Sequence, residues 1–534
     1  MSGDDNRLLP GDTQSPPGAS PPGEAAGGLH RRLALNSFSN VSRFVVFLGG
    51  ALLLTPFVVR TLGDAAYGFW VVLLSFVGYA GILELGVQPA VIKLVGQHRG
   101  NPDRERLEEL ITAALVFFAA AGLLASLLVA FVLPPLVPHL VKDHQGLGEL
   151  RALFALIAAD VLILFLNYVF AGILYGWQLY HGKNLIDIAA WVINALLLVA
   201  FLQHGGLLLL AASKTATDLL ALLATVLLCR RALPGVRFSW GRVGRGSFGA
   251  LLGFGGKLFA SATSKRISNY AQPLILSSQI SAAATAFFSI PARLVDYAQQ
   301  IAWALSTGFM PMFSELDGRN ESEFLRSIYL RYSRYILLLT LPILVLILVY
   351  GPDFIARWIG PEYAARGRDA LYILAAAVLI EGLQPLIWRL FTGVGRVNFL
   401  VAVSAAASLL SIALGLLWVG PLGIAGVALG VLVTTAASQV LLFGYASRYL
   451  GLSPLRQMRE VQGRPLLVGA LHFALAWALA RALGADTYRV MALGALLSLI
   501  GYAPAAFLSL RPAERSKLLE LARSALRRLR RWRR

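Results

Sequence analysis

Long apolar runs recur along the chain from Val41 to Leu510, separated by short polar segments. A helix rises about 1.5 Å per residue, so runs of about 20 residues can cross a hydrocarbon layer of about 30 Å. The pattern therefore predicts an all-α polytopic membrane protein. We expect about fourteen spans, near residues 36–59, 69–92, 108–133, 150–173, 184–203, 207–229, 248–273, 281–309, 328–350, 369–391, 397–418, 422–447, 464–484 and 488–510.

The amino-acid composition narrows the range of possible functions. The mean hydropathy is +0.68 and only 14% of the 534 residues are charged, which a water-soluble protein of this size would not show. The single cysteine, Cys229, excludes a disulfide framework and any multi-cysteine metal or redox site. The sequence has no paired-carboxylate motif, HExxH motif or Gly-rich phosphate loop. We therefore expect a protein that is not an enzyme and binds no metal or resident cofactor.

The net charge of +19 mainly reflects topology. With the N-terminus inside, most of the 47 Lys and Arg residues lie in cytoplasmic segments, which predicts that both termini are cytoplasmic. Because these cations are spread over many short loops, we expect no nucleic-acid partner. The C-terminal tail predicts an amphipathic helix on the anionic inner leaflet, with a plain topological anchor as the alternative. Its apolar face would comprise Leu518, Leu521, Ala525, Leu529 and Trp532.

Two hairpin segments resemble each other and indicate an internal duplication. "TPFVVRTLGDAAYGFW" (Thr55–Trp70) aligns with "QPLILSSQISAAATAFF" (Gln272–Phe288), so that Pro56 pairs with Pro273. Chance similarity between apolar sequences is the alternative. The duplication predicts two six-helix lobes and two additional C-terminal helices. The expected domains are a disordered cytoplasmic tail (1–33), an N-terminal lobe (34–230), a C-terminal lobe (231–450), spans 13–14 (451–510) and a basic tail (511–534).

Charged residues inside the spans are the candidate functional residues. Each costs about 2.5–3.5 kcal/mol on insertion, so it is expected to face a wet cavity or a partner. Lys214 and Asp218 are four residues apart and can pair along one helix face. Arg293 and Asp296 are three apart, so mutual neutralisation is an alternative to a role in binding.

Other charges in the spans need partners on different helices. Arg43 and Glu84 share a depth in spans 1 and 2, which predicts a salt bridge between them, either a structural tie or an inner gate. Asp160 is expected to face the interior of the N-terminal lobe or to be buried and hydrogen-bonded. Asp187 lies near the inner end of span 5, where an interfacial position would suffice.

Span 7 lies in "GGKLFASATSKRISNYAQPLILSS" (Gly255–Ser278) and carries three cations and no acidic residue. At 100° per residue, Lys257 shares a face with a stripe of serines, and Lys265 borders that stripe. Arg266 is expected on a flank of the helix or reaching outward. Together with Arg293, these residues predict a ladder of positive charge across the membrane. The alternative is that the lysines extend to the two interfaces.

Ordered motifs along residues 36–450 resemble a known transporter family. "LGDAAYGFWVVLLSFVGYAGILELGVQPAVIKLVGQ" (Leu62–Gln97) is similar to the opening hairpin of bacterial oligosaccharide or polysaccharide flippases (Wzx-type). The similarity continues through "AGILYGWQLYHGKN", "IPARLVDYAQQIAWALSTGFMPMFSEL", "FIARWIGPEY" and "LFTGVGRVNF". These flippases belong to the multidrug/oligosaccharidyl-lipid/polysaccharide exporter superfamily. The resemblance implies a V-shaped pair of lobes around a central cavity, in the bacterial cytoplasmic (inner) membrane.

The resemblance also implies the cargo, an undecaprenyl-diphosphate-linked oligosaccharide moved from the inner to the outer leaflet for lipopolysaccharide or exopolysaccharide synthesis. Polysaccharide polymerase machinery is a further expected partner. Since Lys and Arg bind phosphate oxygens well, we expect the diphosphate to contact the intramembrane cations. These are Lys257, Arg293, Lys265, Arg43 and Arg266. The candidate gating or H⁺/Na⁺-coupling residues are Glu84, Asp160, Asp296 and Glu381.

Three alternatives remain. A lipid II flippase would share the headgroup. A cation-coupled multidrug exporter usually carries cationic cargo, so an excess of positive charge disfavours it. A membrane-embedded polysaccharide polymerase would need a larger outside loop with catalytic residues.

Overall fold

The structure is a computed structural model, and it describes residues 22–100, 103–141, 150–234, 241, 244–516 and 519–520. Over these residues the chain is helical and contains no strand. Side chains are described from Ser39 onward, with gaps. The gaps include residues 254–262 and 264–265, and the side chain of Thr263 between these two gaps is described. The expectation of an all-α polytopic membrane protein is confirmed.

The N-terminal bundle is formed by seven helices and two short irregular turns. They are α1 (Pro22–Leu62), α2 (Asp64–Ala80), a 3₁₀ turn (Gly81–Glu84), α3 (Val87–Gly100), α4 (Arg104–Leu127), a π turn (Leu128–Val132), α5 (Leu133–Leu140), α6 (Leu150–Gly176) and α7 (Tyr180–Ala232). Helix α6 packs against α7 and α4, and α1 packs along α7.

The C-terminal bundle repeats this arrangement and adds one short helix and two long ones. Its members are α8 (Arg245–Gln279), α9 (Ala282–Ser306), α10 (Phe309–Gly318), α11 (Ser322–Trp358), α12 (Pro361–Gly382), α13 (Ile387–Gly393) and α14 (Val397–Tyr449). The additional part comprises α15 (Pro454–Met458), a π turn (Arg459–Gly463), α16 (Arg464–Leu483) and α17 (Tyr488–Ser509). Helices α16 and α17 pack on each other and on α11.

The two longest helices are each broken at a glycine. Both α7 and α14 have 53 residues, and each contains one non-helical residue, Gly206 (φ 52°, ψ −139°) and Gly423 (φ 58°, ψ −136°). Only a residue without Cβ adopts this conformation readily, so each glycine lets one helix end and the next begin without a loop. Gly206 falls between the predicted spans 5 and 6, and Gly423 is the second residue of the predicted span 12, close to its boundary with span 11.

The number of spans is not settled by helix length and composition. Among the described residues, nine helices are long and apolar enough to cross a membrane, or ten if the bent pair α12 and α13 counts as one span. The broken helices α7 and α14 each count once. Fourteen spans therefore remain a prediction.

The exposed apolar surface and the close contacts between the bundles are those expected of a membrane protein built from two helical bundles. Leu53 is 81% exposed and Val440 is 71% exposed, as expected of side chains that face lipid. The bundles meet closely at the ends of α1 and α9. A Cβ on Gly68 would lie 1.7 Å from the Ala282 carbonyl oxygen, so α2 and α9 can approach only because residue 68 is glycine.

The same end is tied by polar contacts between the bundles. Trp358 Nε1 donates to the Leu52 carbonyl at 2.5 Å, and the Tyr363 hydroxyl donates to Asp64 Oδ1 at 2.7 Å. Arg60 Nε donates to the Ile359 carbonyl at 3.4 Å. This end of the interface is closed, and we refer to it as the closed end.

Several element boundaries differ from those expected. Span 3 was expected to end at residue 133, but the helical path continues through the π turn and α5 to Leu140, because prolines are tolerated in the first turn of a helix. Residues 22–33, assigned to a disordered tail, belong to α1, since "GEAAGGLHRRLA" contains several strong helix formers. Leu518 and residues 521–534 of the expected amphipathic tail lie outside the described residues.

The glycine break predicts a sharp difference between two substitutions in α14. Gly423 and Gly444 both have open space where a Cβ would be added, but only Gly423 has a positive φ. We expect Gly423→Ala to lower the free energy of unfolding by about 1–3 kcal/mol. Gly444→Ala should be neutral or stabilising by up to about 1 kcal/mol. Thermal unfolding of the purified variants measures both, and equal effects would contradict the assigned break.

Candidate functional site

A cavity of about 640 Å³ lies inside the N-terminal bundle, lined by α1, α2, α6 and α7 and by one residue each of α3 and α9. We call it the N-terminal cavity. Its lining includes four cations and two carboxylates, which are Arg43, Lys183, Lys214, Arg293, Asp187 and Asp218. The charge of this lining is positive, although the cavity lies among apolar helices.

One carboxylate holds two of these cations. Asp187 forms an ion pair with Lys183, four residues earlier on α7, and its Oδ2 lies 3.5 Å from Arg43 Nη2 on α1. The Lys183 side chain is 2% exposed, whereas that of Arg43 is 37% exposed. Arg43 also lies 5.1 Å from the ring centre of Phe47. The carboxylate therefore fixes a buried lysine and orients an arginine that still faces the cavity.

A second group has the opposite composition, with one lysine between two carboxylates. Lys214 Nζ lies 2.6 Å from Asp160 Oδ2 and 2.6 Å from Asp218 Oδ2. Asp160 is 1% exposed, and its Oδ1 has no hydrogen-bond partner among the described residues. The predicted pairing of Lys214 with Asp218 is found, and Asp160 joins it as a buried third member.

Arg293 differs from the other cations of the N-terminal cavity. It belongs to α9 in the C-terminal bundle, yet it lines this cavity. The structure records no ion pair between Arg293 and any described residue, and Asp296 accepts instead from Gln300 Nε2 at 2.7 Å. A direct ion pair between Arg293 and Asp296 is therefore not found, although the two side chains still attract each other through space.

Aromatic rings and amides complete the lining. Trp70, Trp191 and Tyr168 present rings to the cavity. The carbonyl oxygens of Asn167 and Asn194 are buried and have no hydrogen-bond partner among the described residues. Unsatisfied buried acceptors are uncommon in native proteins, so their presence around one cavity indicates a site for water or a polar ligand.

A second cavity, of about 630 Å³, lies in the C-terminal bundle. We call it the C-terminal cavity. It contains Asp296 and Glu381 together with two arginines, Arg266 and Arg389. Gln299 Nε2 donates to Glu381 Oε2 at 2.5 Å. The site lies where α12 and α13 bend by 44° between Gly382 and Ile387, and broken helices commonly form the sites of transporters.

An ion pair crosses the interface between the bundles. Glu84 Oε2 lies 3.7 Å from Arg266 Nη1, with side chains 11% and 48% exposed. The predicted bridge between Arg43 and Glu84 is therefore wrong. The 3₁₀ turn ends at Leu85 (φ 49°) and Gly86 (φ 72°), and this break turns Glu84 towards α8 instead of α1.

Sequence comparison decides the family. A family model described as "Polysaccharide biosynthesis protein" matches residues 57–366, which is more than half of the chain. The chain belongs to this family. A putative O-antigen transporter of Shigella flexneri is 23% identical over 377 residues, covering 70% of this chain and 88% of that protein. The uncharacterized membrane protein EpsK of Bacillus subtilis (strain 168) is 24% identical over 409 residues, covering 70% and 77%.

Solved structures share the fold of this family member. The lipid II flippase MurJ in an inward closed conformation superposes with a TM-score of 0.69 at 12% identity, covering 88% of this chain and 98% of that chain. An inward-facing multidrug resistance MATE family transporter of the MOP superfamily gives 0.61 at 15% identity, covering 78% and 98%. The predicted membership of the flippase superfamily is confirmed, and the protein is a multi-pass membrane protein.

The predicted site residues of this protein separate into three groups. Arg43 and Arg293 line the N-terminal cavity, and Asp160 lies directly behind it. Arg266, Asp296 and Glu381 line the C-terminal cavity, while Glu84 bridges to Arg266 between the bundles. The side chains of Lys257 and Lys265 lie outside the described residues, so their part in the ladder remains a prediction.

Two cations were missed by the sequence reasoning. Lys183 was assigned to a cytoplasmic loop, although its spacing of four from Asp187 indicates a helical ion pair. Arg389 follows the helix break, donates to Ser306 Oγ at 3.2 Å and lies 5.5 Å from the ring centre of Trp303. Because Arg389 lies inside the predicted span 369–391, its charge within a span was the signal that could have identified it.

Because Lys183 is buried, we expect the stability of the protein to depend strongly on its ion-pair partner, Asp187. Asp187→Asn should lower the free energy of unfolding by about 3–5 kcal/mol, because it leaves a buried lysine unpaired. Adding Lys183→Met should recover much of that loss. Both values follow from thermal unfolding of the purified proteins.

A matched control is the exposed pair Arg319 and Glu315, which has the same spacing and side chains 62% and 61% exposed. Glu315→Gln should change stability by less than about 1 kcal/mol. A loss for Asp187→Asn no greater than this would show that Lys183 does not depend on the pair.

Proposed function

We propose that the protein is a flippase that moves an undecaprenyl-diphosphate-linked oligosaccharide from the inner to the outer leaflet of the bacterial cytoplasmic membrane, for surface polysaccharide synthesis. The supporting observation is the N-terminal cavity, which combines surplus positive charge with aromatic rings and unsatisfied amide oxygens. The family match and the O-antigen transporter relative support the same cargo class.

The cations suit the diphosphate. Arg43 is only partly neutralised by Asp187, which it shares with Lys183, and Arg293 has no recorded ion pair with a described residue. Arginine can bind phosphate oxygens with two parallel hydrogen bonds, and such bonds are strong where water is scarce. The headgroup would therefore be held between α1 of one bundle and α9 of the other.

The uncharged part of the lining suits a sugar chain. Trp70 and Trp191 offer flat apolar faces, and the amide oxygens of Asn167 and Asn194 can accept from hydroxyl groups. Both kinds of contact are compatible with several sugars. The lining therefore supports an oligosaccharide without selecting its sequence.

The alternatives differ in how well they fit this lining. A multidrug exporter with cationic cargo would face repulsion from Arg43 and Arg293. A lipid II flippase would use the same headgroup contacts, so only the family match favours a polysaccharide precursor. A polymerase would instead be a binding partner, using the flipped product in the outer leaflet.

Transport would follow alternating access. The bundles are in contact at the closed end through Trp358, Tyr363 and Arg60, while each bundle contains one of the two cavities. The positive-inside bias supports an outer position for the closed end and a cytoplasmic position for both termini. Opening of these contacts would then release the cargo headgroup outside.

Ion coupling is proposed to act through Asp160. Two carboxylates share one lysine, and one Asp160 oxygen is buried without a partner among the described residues. A proton or Na⁺ at Asp160 would neutralise the remaining negative charge, which is costly inside a membrane.

Arg293 gives the test of cargo binding. We expect Arg293→Gln to reduce surface polysaccharide to roughly one tenth or less, since a hydrogen bond to a charged group contributes about 1.5–3 kcal/mol. Arg293→Lys should retain part of the output. The exposed Arg489 of α17 provides the control, and Arg489→Gln should leave output normal. Polymer yield is compared with the amount of each variant in the membrane. Normal output from Arg293→Gln at normal membrane levels would contradict the proposal.

Asp160 gives the test of coupling. In proteoliposomes, Asp160→Asn should remove the response of flipping to an imposed pH or Na⁺ gradient while exchange without a gradient persists. Asp218→Asn removes the more exposed carboxylate from the same lysine and should keep the gradient response. A full response by Asp160→Asn to both gradients would exclude this residue as the coupling site.

A further inference from the structure

An arginine-rich pocket of about 430 Å³, which shares no residue with either cavity, lies where α11, α15, α16 and the segment after α17 meet. We call it the arginine pocket. Its lining contains one acidic residue, Glu460, and five arginines, which are Arg334, Arg456, Arg459, Arg464 and Arg511. It adjoins a second cavity of about 250 Å³ that adds two arginines, Arg326 and Arg331, and two acidic residues, Glu323 and Glu514. These residues line neither the N-terminal cavity nor the C-terminal cavity, and they have no part in the proposed cargo path.

Glu460 and Glu514 do not neutralise the positive charge of the arginines. Glu460 is shared between Arg456 and Arg511, each at 2.9 Å. Glu514 is shared between Arg334 at 3.2 Å and Arg331 at 3.8 Å. Arg459 and Arg464 have no carboxylate partner among the described residues, and Arg464 donates only to the Ser509 carbonyl at 3.1 Å. The pocket therefore keeps an excess of positive charge.

The floor of the pocket is rigid. The Arg334 side chain is 3% exposed, and its Nε donates to the Glu460 carbonyl at 2.9 Å. That carbonyl belongs to the π turn Arg459–Gly463, and such turns often occur at functional sites. A buried arginine and an irregular turn thus hold the exposed arginines around one space.

The surroundings favour a lipid over a soluble anion. Leu455 lines the pocket and is 77% exposed, and Met458 of the same short helix is 49% exposed. The pocket lies where α11 and α16 begin and α17 ends, which places it at the edge of the apolar spans. Exposed apolar side chains beside surplus arginines match an amphiphile with an anionic head.

We propose that the arginine pocket binds the phosphate of an anionic phospholipid, with its acyl chains lying along Leu455 and Met458. The bound lipid would connect α11 to the two additional helices α16 and α17. This site is independent of the proposed cargo, because it shares no residue with either cavity.

The test uses the full chain in a neutral detergent, with phosphatidylglycerol and phosphatidylcholine as probes and bound lipid counted by native mass spectrometry. The wild-type protein should prefer phosphatidylglycerol, and this preference should weaken with salt. Arg459→Gln with Arg464→Gln should lower phosphatidylglycerol affinity roughly tenfold, since each arginine near a membrane surface contributes substantially. Arg459→Lys with Arg464→Lys should retain intermediate affinity.

The control removes the same charge from the same end of the molecule. Arg230 and Arg231, in the last turn of α7, are exposed and lie outside the pocket, so Arg230→Gln with Arg231→Gln should keep wild-type affinity. An equal loss in this control would mean a general charge effect and overturn the proposal. So would equal wild-type binding of the two lipids. Displacement of phosphatidylglycerol by excess inorganic phosphate would identify a free-phosphate site instead. The last two outcomes need no folded variant.

Discussion

A charge inside a membrane protein must face either an opposite charge or water, because the hydrocarbon layer offers neither. This chain meets the constraint with groups of three. Asp187 holds Arg43 and Lys183, Lys214 lies between Asp160 and Asp218, and the same sharing recurs at Glu460. In each group two like charges share one opposite charge, so the side chains are fixed in position while a net charge remains. That residual charge leaves the N-terminal cavity with the positive lining on which the proposed headgroup binding rests.

The backbone positions these groups through breaks rather than through loops. Gly206 and Gly423 divide two 53-residue helices at the same distance from their first residues and with nearly the same dihedral angles. Such agreement is expected if the bundles descend from one repeat, although the domain boundaries stay a prediction. Elsewhere, Glu84 and Glu381 each stand at a break in a helix, where freed backbone groups and a carboxylate can meet a ligand together.

Hydropathy alone predicted the membrane class and most helices, because apolar length is a one-dimensional property of the sequence. The pairing of Lys214 with Asp218 was also predictable, since a spacing of four fixes two side chains on one helix face. The ion-pair partner of Glu84 was not predictable from the sequence. Equal depth on neighbouring spans leaves the rotation of each helix open, and the left-handed Leu85 changes that rotation locally. Arg389 shows the same limit, because its cavity exists only once α9 and α13 have packed.

The ion pairs also differ in how strongly they hold the parts of the molecule together. Within the N-terminal bundle, Lys214 and Asp160 are 2.6 Å apart, and the Asp160 side chain is 2% exposed. Between the bundles, Glu84 and Arg266 are 3.7 Å apart, and the Arg266 side chain is 48% exposed. A partly hydrated, longer ion pair contributes little free energy, whereas separating a buried pair leaves an uncompensated charge. The electrostatics therefore favour bundles that stay rigid internally and separate from each other at low cost, which is the mechanical requirement of alternating access.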